Sequence, residues 1–360
     1  MKMILFMCLK LFPLFVLFNS FAGAVLIDLP ENATIPAVLF FGDSIVDTGN
    51  NNYITTVAKC NFRPYGKNFI EGKPTGRFSD GKVPSDLFAK ELGIKPLLPP
   101  YLDPSLQDQD LLTGVNFASG ASGYDPLTSD PASVFSLSDQ LEMFKEYIAK
   151  LKKIAGEEKS SAILRESIIA VATGSNDILN TYFLTPRRFQ YDVPSYTDLL
   201  VSYASSFVQE LYRLGARRIG VFSMPPIGCA PSQITLKGGL DRKCVDKYNE
   251  IAKLFNNKLS AAITSLNTRF TDARIVYFDA YNPTLDIILN PQKYGFKIAD
   301  RGCCGTGLVE VSLVCRYACS NVNDYVFWDS FHPSEKTYTI LVRRILEQYI
   351  SYFICGKSFC

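Results

Sequence analysis

Short apolar segments alternate with longer amphipathic stretches along most of the chain. The apolar segments cover residues 37–41, 115–118, 167–172, 218–222 and 274–278. The amphipathic stretches, with apolar residues at helical spacing, cover residues 138–154, 199–214, 245–266 and 335–352, and Ser334 should cap the last of them. Continuous apolar runs are typical of strands buried on both faces. Their alternation with helices predicts an α/β fold, with a parallel sheet covered by helices on both sides.

Three of the predicted strands run directly into polar turns that contain glycine. The turns are Gly42-Asp43-Ser44, Ala118-Ser119-Gly120 and Thr173-Gly174-Ser175-Asn176-Asp177. The carboxyl ends of parallel strands joined by right-handed crossovers share one edge of the sheet, so we expect these turns to form one pocket. The first turn has two interpretations. It is either a strand, a turn and a capped helix, or a strand that presents Ser44 as a nucleophile.

A serine nucleophile needs a base, and the composition narrows the choice to one residue. The chain contains a single histidine, His332, in the stretch Trp-Asp-Ser-Phe-His-Pro. In a tight turn, the carboxylate of nearby Asp329 can accept a hydrogen bond from imidazole Nδ1–H, which leaves Nε2 to take the serine proton. A lone histidine is ordinarily a surface or core residue without a catalytic role. The spacing of His332 from Asp329 instead favours His332 as the base and Asp329 as the residue that orients it.

An oxyanion formed at Ser44 would require hydrogen-bond donors beside it. We expect the donors to be the backbone N–H groups of Ser44 and Gly120 and the side-chain amide of Asn176, although glycine and asparagine are also common turn residues. Asp43 and Asp47 flank Ser44. A carboxylate pair can serve a glycosidase, but we interpret these two as capping and turn residues. The Gly-x-Ser-x-Gly motif of α/β-hydrolases is absent, as are the zinc-protease and phosphate-loop motifs.

The first residues have the features of a secretory signal peptide. Lys2 is followed by a short apolar stretch and by Ala22-Gly23-Ala24, which predicts cleavage after Ala24. Removal of residues 1–24 takes away two lysines and leaves a formally neutral chain, which argues against nucleic acid as a partner. We expect no transmembrane segment, and we interpret residues 25–360 as a single domain because no linker or repeat divides them.

Nine cysteines remain after this cleavage, which predicts disulfides in an exported chain. They are Cys60, Cys229, Cys244, Cys303, Cys304, Cys315, Cys319, Cys355 and Cys360. Connectivity cannot be read from sequence. We expect Cys229 to pair with Cys244, a cluster of pairs within 303–319, and at least one unpaired thiol. Zinc binding is disfavoured, since regular Cys-x-x-Cys pairs are missing. Asn32 lies in a glycosylation sequon.

Four sequence blocks resemble those of the plant GDSL esterase/lipases, within the SGNH hydrolase superfamily. They are F-G-D-S-I-V-D-T-G-N-N-N (41–52), G-V-N-F-A-S-G-A-S-G (114–123), G-S-N-D (174–177) and D-S-F-H-P (329–333). Similar stretches are P-T-G-R-F-S-D-G (74–81) and L-G-A-R-R-I-G-V-F-S-M-P-P-I-G-C (214–229). Ile45 stands where the family name has leucine, an apolar change of equal size that should not affect the chemistry.

The resemblance implies a three-layer α/β/α, flavodoxin-like fold. It also implies hydrolysis of carboxylic esters outside the cell, with neither a metal nor an organic cofactor. In the resemblance, Ser44 matches the nucleophile and first oxyanion donor, and Asn176 matches the third donor. Gly120 matches the second donor, although Gly123 fits the motif equally well. His332 matches the base and Asp329 its partner.

Two other functions are compatible with this sequence, one that uses Ser44 and one that uses no catalytic residue. An acyltransferase would pass the acyl group from Ser44 to a sugar or polymer hydroxyl, and a secreted coat or binding protein would use the fold without catalysis. We expect a monomer that acts on a small-molecule or lipid ester. Lipid esters, short-chain esters and acetylated glycans all remain open as substrates.

Overall fold

The structure is a computed structural model that describes Ile27 and residues 34–354. The predicted signal peptide, Asn32, Cys355 and Cys360 lie outside these residues. The central sheet has four parallel strands in the order β1-β2-β3-β4. The strands are β1 Val38–Gly42, β2 Ile168–Ala172, β3 Arg218–Phe222 and β4 Arg274–Phe278. Every residue of β1 and β2 is buried, as their continuous apolar sequences predict.

The predicted strand 115–118 is wrong as a regular strand. The segment lies beside β1 and forms only isolated parallel bridges, from Asn116 to Phe40 of β1 and to Pro100. The next bond of this ladder would run from Gly42 N–H to Phe117 C=O. Gly42 N–H instead donates to the side-chain oxygen of Gln140, at 2.9 Å. A side chain from a helix therefore interrupts the pairing, which the apolar pattern of the segment could not show.

The described residues form ten α-helices, including the four that the sequence predicts. They are α1 Pro84–Glu91, α2 Asp108–Thr113, α3 Leu137–Ala155, α4 Glu157–Glu166, α5 Arg187–Gln190, α6 Val193–Arg213, α7 Pro231–Lys237, α8 Asp246–Arg269, α9 Tyr281–Leu289 and α10 Glu335–Ile354. Ser334 caps α10 as expected, because its hydroxyl accepts the Thr337 N–H at 3.4 Å. Among the described residues, no helix combines the length and the apolar sequence that a membrane span requires.

Helices cover both faces of the sheet. Alternate strand residues such as Leu39 and Phe41 join one core with α3, α6 and α8. The intervening residues, such as Val38 and Phe40, join a second core with α1 and α10. This alternation produces three layers, α/β/α, as the resemblance implies. The segment 115–118 lies on one side of β1 and β2 on the other, so the chain changes winding direction at β1, where α/β proteins bind their ligands.

A small second sheet carries the segment that contains the histidine. Strands β5 Ile298–Gly302 and β6 Tyr325–Phe327 are parallel, and two disulfides, Cys303–Cys319 and Cys304–Cys315, close the chain between them. A third disulfide joins Cys229 to Cys244. The predictions of this pair and of a cluster within 303–319 are confirmed. Cys60 is a buried free thiol within the described residues.

Candidate active site

A sharp turn at the end of β1 presents Ser44. Gly42 has a φ of 136°, and a Cβ atom there would lie 2.0 Å from the carbonyl oxygen of Ala172 on β2, so the position requires glycine. The Asp43 N–H continues the ladder to that same oxygen at 3.1 Å. Ser44 follows with a side chain that is largely buried but still lines a cavity.

The helix predicted in one interpretation of this turn does not form. Only one turn follows β1, in which the N–H groups of Val46 and Asp47 both donate to the Asp43 carbonyl. The Asp47 carboxylate then accepts the N–H groups of Gly49 and Asn50, at 2.7 and 2.9 Å, and diverts the backbone from a helical path. Asp43 also accepts the Ile45 N–H through its side chain, so both aspartates hold the turn.

His332 reaches the site on a loop that folds back on itself. The Trp328 N–H donates to the His332 carbonyl at 2.7 Å, and one carboxylate oxygen of Asp329 accepts the N–H groups of Phe331 and His332. The imidazole Nδ1 lies 2.9 and 2.8 Å from the two oxygens of Asp329. Its Nε2 lies 2.8 Å from the Ser44 hydroxyl. The structure therefore brings together the three side chains that the sequence singled out.

Asn176 lines the same cavity as Ser44 and His332. Its amide nitrogen donates to the Ser122 carbonyl at 2.9 Å, and its amide oxygen accepts from Asn180 at 3.1 Å. These bonds orient the amide and leave its second N–H available. Within the described chain, the backbone N–H of Ser44 also has no acceptor.

The two candidate glycines have different surroundings. The Gly120 N–H donates to the Asp47 carboxylate at 3.0 Å and is not available to a ligand. The Gly123 N–H has no acceptor among residues 34–354. A Cβ atom at Gly123 would lie 2.5 Å from the Asp177 carboxylate, so this position also requires glycine. The hydrogen bonds thus favour Gly123 over Gly120, reversing the choice made from the sequence.

Buried carboxylates support this edge of the sheet. Burial raises the pKa of Asp43 and of Asp47 to about 6, and that of Asp177 to about 7. The hydrogen bonds that each carboxylate accepts lower its pKa but do not offset the effect of burial. Asp177 accepts the N–H groups of Tyr124 and Asp125 and the Thr128 hydroxyl. It therefore fixes the backbone that follows Gly123.

Sequence reasoning missed several supporting residues. The buried Tyr65 hydroxyl donates to Asp329 at 2.8 Å, and the Phe78 ring packs 5.1 Å from the imidazole, centroid to centroid. Gln140 binds both the N–H and the carbonyl of Gly42. Tyr65 lies 264 residues before Asp329, and Gln140 lies on an amphipathic helix. No local motif marks either residue.

The cavity beside Ser44 has a volume of about 130 Å³ and extends between α9, α10 and the small sheet. Its walls beyond the polar groups are largely apolar and include Phe222, Ile227, Ile288, Phe331, Leu341 and Ile345. Within the described residues, no group of three or more His, Cys, Asp or Glu side chains is arranged to hold a metal ion. The arrangement can accommodate an apolar group next to a hydroxyl, an imidazole and unpaired N–H donors.

Comparison with known proteins assigns the chain to a family. The family model for GDSL-like lipase/acylhydrolase matches residues 38–345. The chain is 52% identical over 332 residues to GDSL esterase/lipase EXL3 of Arabidopsis thaliana, an alignment that covers 91% of each protein. It is 50% identical over 344 residues to GDSL esterase/lipase EXL2 of the same plant, covering 90% of this chain and 91% of that protein. The chain therefore belongs to the GDSL-like lipase/acylhydrolase family.

Proposed function

We propose that this protein hydrolyses carboxylic esters through an acyl-enzyme formed on Ser44. The observation that carries the proposal is the continuous set of contacts from the Ser44 hydroxyl through both imidazole nitrogens of His332 to Asp329. Serine is a weak nucleophile at its own pKa and requires such a base. Membership of a lipase/acylhydrolase family gives independent support for ester substrates.

In the first step, Ser44 Oγ attacks the ester carbonyl carbon while His332 Nε2 takes the hydroxyl proton. Asp329 accepts the Nδ1–H bond, which keeps the Nε2 lone pair directed at serine and stabilises the imidazolium. The carbon–oxygen bond to the alcohol then breaks, and the alcohol leaves with the proton from Nε2. In the second step, water attacks the acyl carbon while His332 Nε2 takes a proton from it. The bond between that carbon and Ser44 Oγ then breaks, Oγ takes the proton from Nε2, and the carboxylic acid leaves.

The negative oxygen that forms in each step needs donors in place. We assign this role to the N–H groups of Ser44 and Gly123 and to the Asn176 amide. Gly123 replaces Gly120 because the Gly120 N–H is already bonded to Asp47. The Ser44 and Gly123 N–H groups have no competing acceptor in the described chain. Donors fixed in this way stabilise the oxyanion without reorganisation.

The substrate's acyl group would occupy the cavity beside Ser44. Its walls of Phe222, Ile288, Leu341 and Ile345 favour an apolar chain over a charged group, because they offer no partner for a buried charge.

We also propose that residues 25–360 are exported as one domain after cleavage behind Ala24, with Asn32 as a glycosylation acceptor. Three disulfides within the described residues support this, since such bonds persist in oxidising compartments. The amino-terminal residue of the exported protein, expected to be Val25, is the measurement that checks it.

The decisive experiment combines a serine-reactive phosphonate with model esters of increasing acyl length. The wild-type protein should be labelled at Ser44 and should hydrolyse the esters. Ser44→Ala should not be labelled, and its kcat should be lower by a factor of at least ~10⁴. Ser330→Ala is the matched control, because this buried hydroxyl adjoins Asp329 and has no hydrogen-bond partner within the described residues. Ester hydrolysis by Ser44→Ala at the wild-type rate would refute the mechanism.

A further inference from the structure

The Asp329 carboxylate has a second side-chain partner besides His332. The Tyr65 hydroxyl donates to Asp329 Oδ2 at 2.8 Å, the same oxygen that lies 2.8 Å from imidazole Nδ1. The other oxygen, Oδ1, accepts the N–H groups of Phe331 and His332. Tyr65 is fully buried, so solvent cannot replace its hydrogen bond.

The direction of the Tyr65 O–H bond is fixed by a third group. The Ser312 N–H donates to the Tyr65 oxygen at 2.8 Å. Because the oxygen accepts this bond, its own proton is left to point at the carboxylate. The hydroxyl therefore acts as a donor to Asp329 rather than as a passive neighbour.

Ser312 belongs to the disulfide segment, residues 303–319, and is itself held in place. It lies within the loop closed by Cys304–Cys315, and its hydroxyl donates to the Lys59 carbonyl at 2.6 Å and lies 3.0 Å from the Val57 carbonyl. The Tyr65 ring is also confined, because Phe62 and Trp328 both pack edge-on against it with centroids 5.8 Å away. These contacts restrict movement of the Tyr65 side chain away from Asp329.

From these contacts we propose that Tyr65 is a positioning residue for the acid–base pair, held in place by Ser312 of the disulfide segment. The proposal rests on the function assigned above to Asp329 and His332. The hydroxyl holds the carboxylate in the plane that meets Nδ1, and it takes up part of the carboxylate's negative charge. A carboxylate stabilised in this way holds the imidazolium less tightly, which helps His332 to return its proton to the leaving alcohol.

Other titratable groups surround the pair and must be considered in any test that varies pH. Asp43 lies near His332, and Cys60 and Tyr338 lie near enough to Asp329 to interact with its charge. None of these three donates a hydrogen bond to Asp329 within the described chain. Removal of the Tyr65 hydroxyl changes the carboxylate's hydrogen bonding while leaving these groups in place.

The test compares Tyr65→Phe with Tyr147→Phe. Tyr147 is an equally buried tyrosine whose hydroxyl donates to the Leu111 carbonyl at 2.7 Å, away from the site. Tyr65→Phe should lower kcat about tenfold or more and change KM by less than about twofold, because a hydrogen bond to a charged group is lost. The acidic limb of kcat/KM against pH should move to higher pH, since the carboxylate then holds the imidazolium more tightly. Tyr147→Phe should show neither effect.

The single histidine provides a direct second measurement. The imidazole Hδ1 resonance of the protein belongs to His332 alone, and it should shift in Tyr65→Phe but not in Tyr147→Phe. An Hδ1 resonance that stays at the wild-type position in Tyr65→Phe would overturn the proposal.

The possible results separate this inference from the proposed function. If Ser44→Ala is inactive while Tyr65→Phe matches Tyr147→Phe in kcat, pH profile and Hδ1 resonance, only the role of Tyr65 is wrong. If both tyrosine variants lose activity equally and the acidic limb stays in place, Tyr65 is merely structural. If Ser44→Ala remains active, the mechanism fails and the role of Tyr65 fails with it.

Discussion

The two halves of the site are held in place by different means. Ser44 follows β1, and its position depends on sheet hydrogen bonds such as Asp43 N–H to the Ala172 carbonyl. The Asp329–His332 loop instead follows β6 of the small two-stranded sheet, outside the central sheet. It depends on the disulfide segment, through Cys304 N–H to the Trp328 carbonyl and Ser330 N–H to the Glu310 carbonyl, and on distant Tyr65.

This difference indicates which half is more easily disturbed. The serine half belongs to the core, so displacing it would require disruption of the central sheet. The histidine half can loosen if a disulfide or a single buried hydroxyl is lost while the core stays folded. Changes behind the histidine loop should therefore lower turnover in a protein whose core still folds, whereas equivalent changes in the central sheet should also disrupt the core.

The largest effect that tests this comparison is expected from Asp329→Asn. The amide cannot accept the Nδ1–H bond as a carboxylate does, so the wrong imidazole tautomer is favoured and kcat should fall by roughly 10⁴. In the serine half, Asn176→Ala removes one of the proposed oxyanion donors and should lower kcat by ~10²–10³. Steady-state kinetics with a model ester measure both values.

Urea unfolding of the same two variants provides the control for misfolding. Each variant should retain a cooperative transition, because neither residue belongs to the two cores that enclose the sheet. A smaller loss of kcat in Asp329→Asn than in Asn176→Ala would contradict the assigned roles. It would mean that the histidine needs no orienting partner.

The sequence predicted the serine half well because its signals are local. Strands β3 and β4 match their predicted bounds at both ends, and the Gly42-Asp43-Ser44 turn follows from a buried run that ends at glycine. The pairing of His332 with Asp329 was also accessible, since the two are close in sequence and the chain has no second histidine. These features depend on neighbours along the chain.

The features that the sequence could not reveal depend on contacts between distant residues. Gln140 disrupts the strand predicted at 115–118 by taking the Gly42 N–H, although the two are 98 residues apart. The choice between Gly120 and Gly123 depends on the Asp47 carboxylate, 73 residues before Gly120. Nothing in the local pattern reports which N–H group a distant side chain will occupy.

An intermediate effect is expected from removal of one disulfide. In Cys304→Ser/Cys315→Ser, the segment that holds Ser312 and Trp328 loses a cross-link, and kcat should fall roughly 10- to 100-fold through misplacement of the histidine loop. The free energy of unfolding should fall by about 3 kcal/mol, as for other loops of this size. Kinetics and urea unfolding at one temperature measure the two effects.

Cys229→Ser/Cys244→Ser is the matched control. That disulfide closes a loop with a sequence separation of 15, against 11 for Cys304–Cys315, so its loss should cost a similar free energy. It reaches the histidine loop only through its neighbour Ser232, whose N–H donates to the Ser330 carbonyl at 3.0 Å, so kcat should fall less than in Cys304→Ser/Cys315→Ser. Equal losses of kcat in the two double variants would show that the disulfide segment has no special link to the acid–base pair.

The smallest effect on turnover is expected from the ionisable groups of the two halves, which should instead change how the free energy of unfolding depends on pH. In the serine half, burial raises the pKa of Asp43 and Asp47 to about 6 and that of Asp177 to about 7, from 3.8 in each case. In the histidine half, partial burial opposes ionisation of Glu310, but hydrogen bonds from Thr306 and Val309 outweigh it and lower the pKa of Glu310 from 4.5 to about 2. The two halves should therefore respond to pH in opposite directions.

Between about pH 4 and pH 7, the folded protein binds more protons at its buried aspartates than the unfolded chain does, so the free energy of unfolding should fall as pH rises. Between about pH 2 and pH 4.5, the unfolded chain binds more protons at Glu310, so the free energy of unfolding should rise with pH. Asp177→Asn should flatten the upper slope, Glu310→Gln the lower one, and exposed Asp241→Asn neither. Urea unfolding across this range measures the slopes, and an upper slope that Asp177→Asn leaves unchanged would mean that Asp177 is ionised in the folded protein throughout this range.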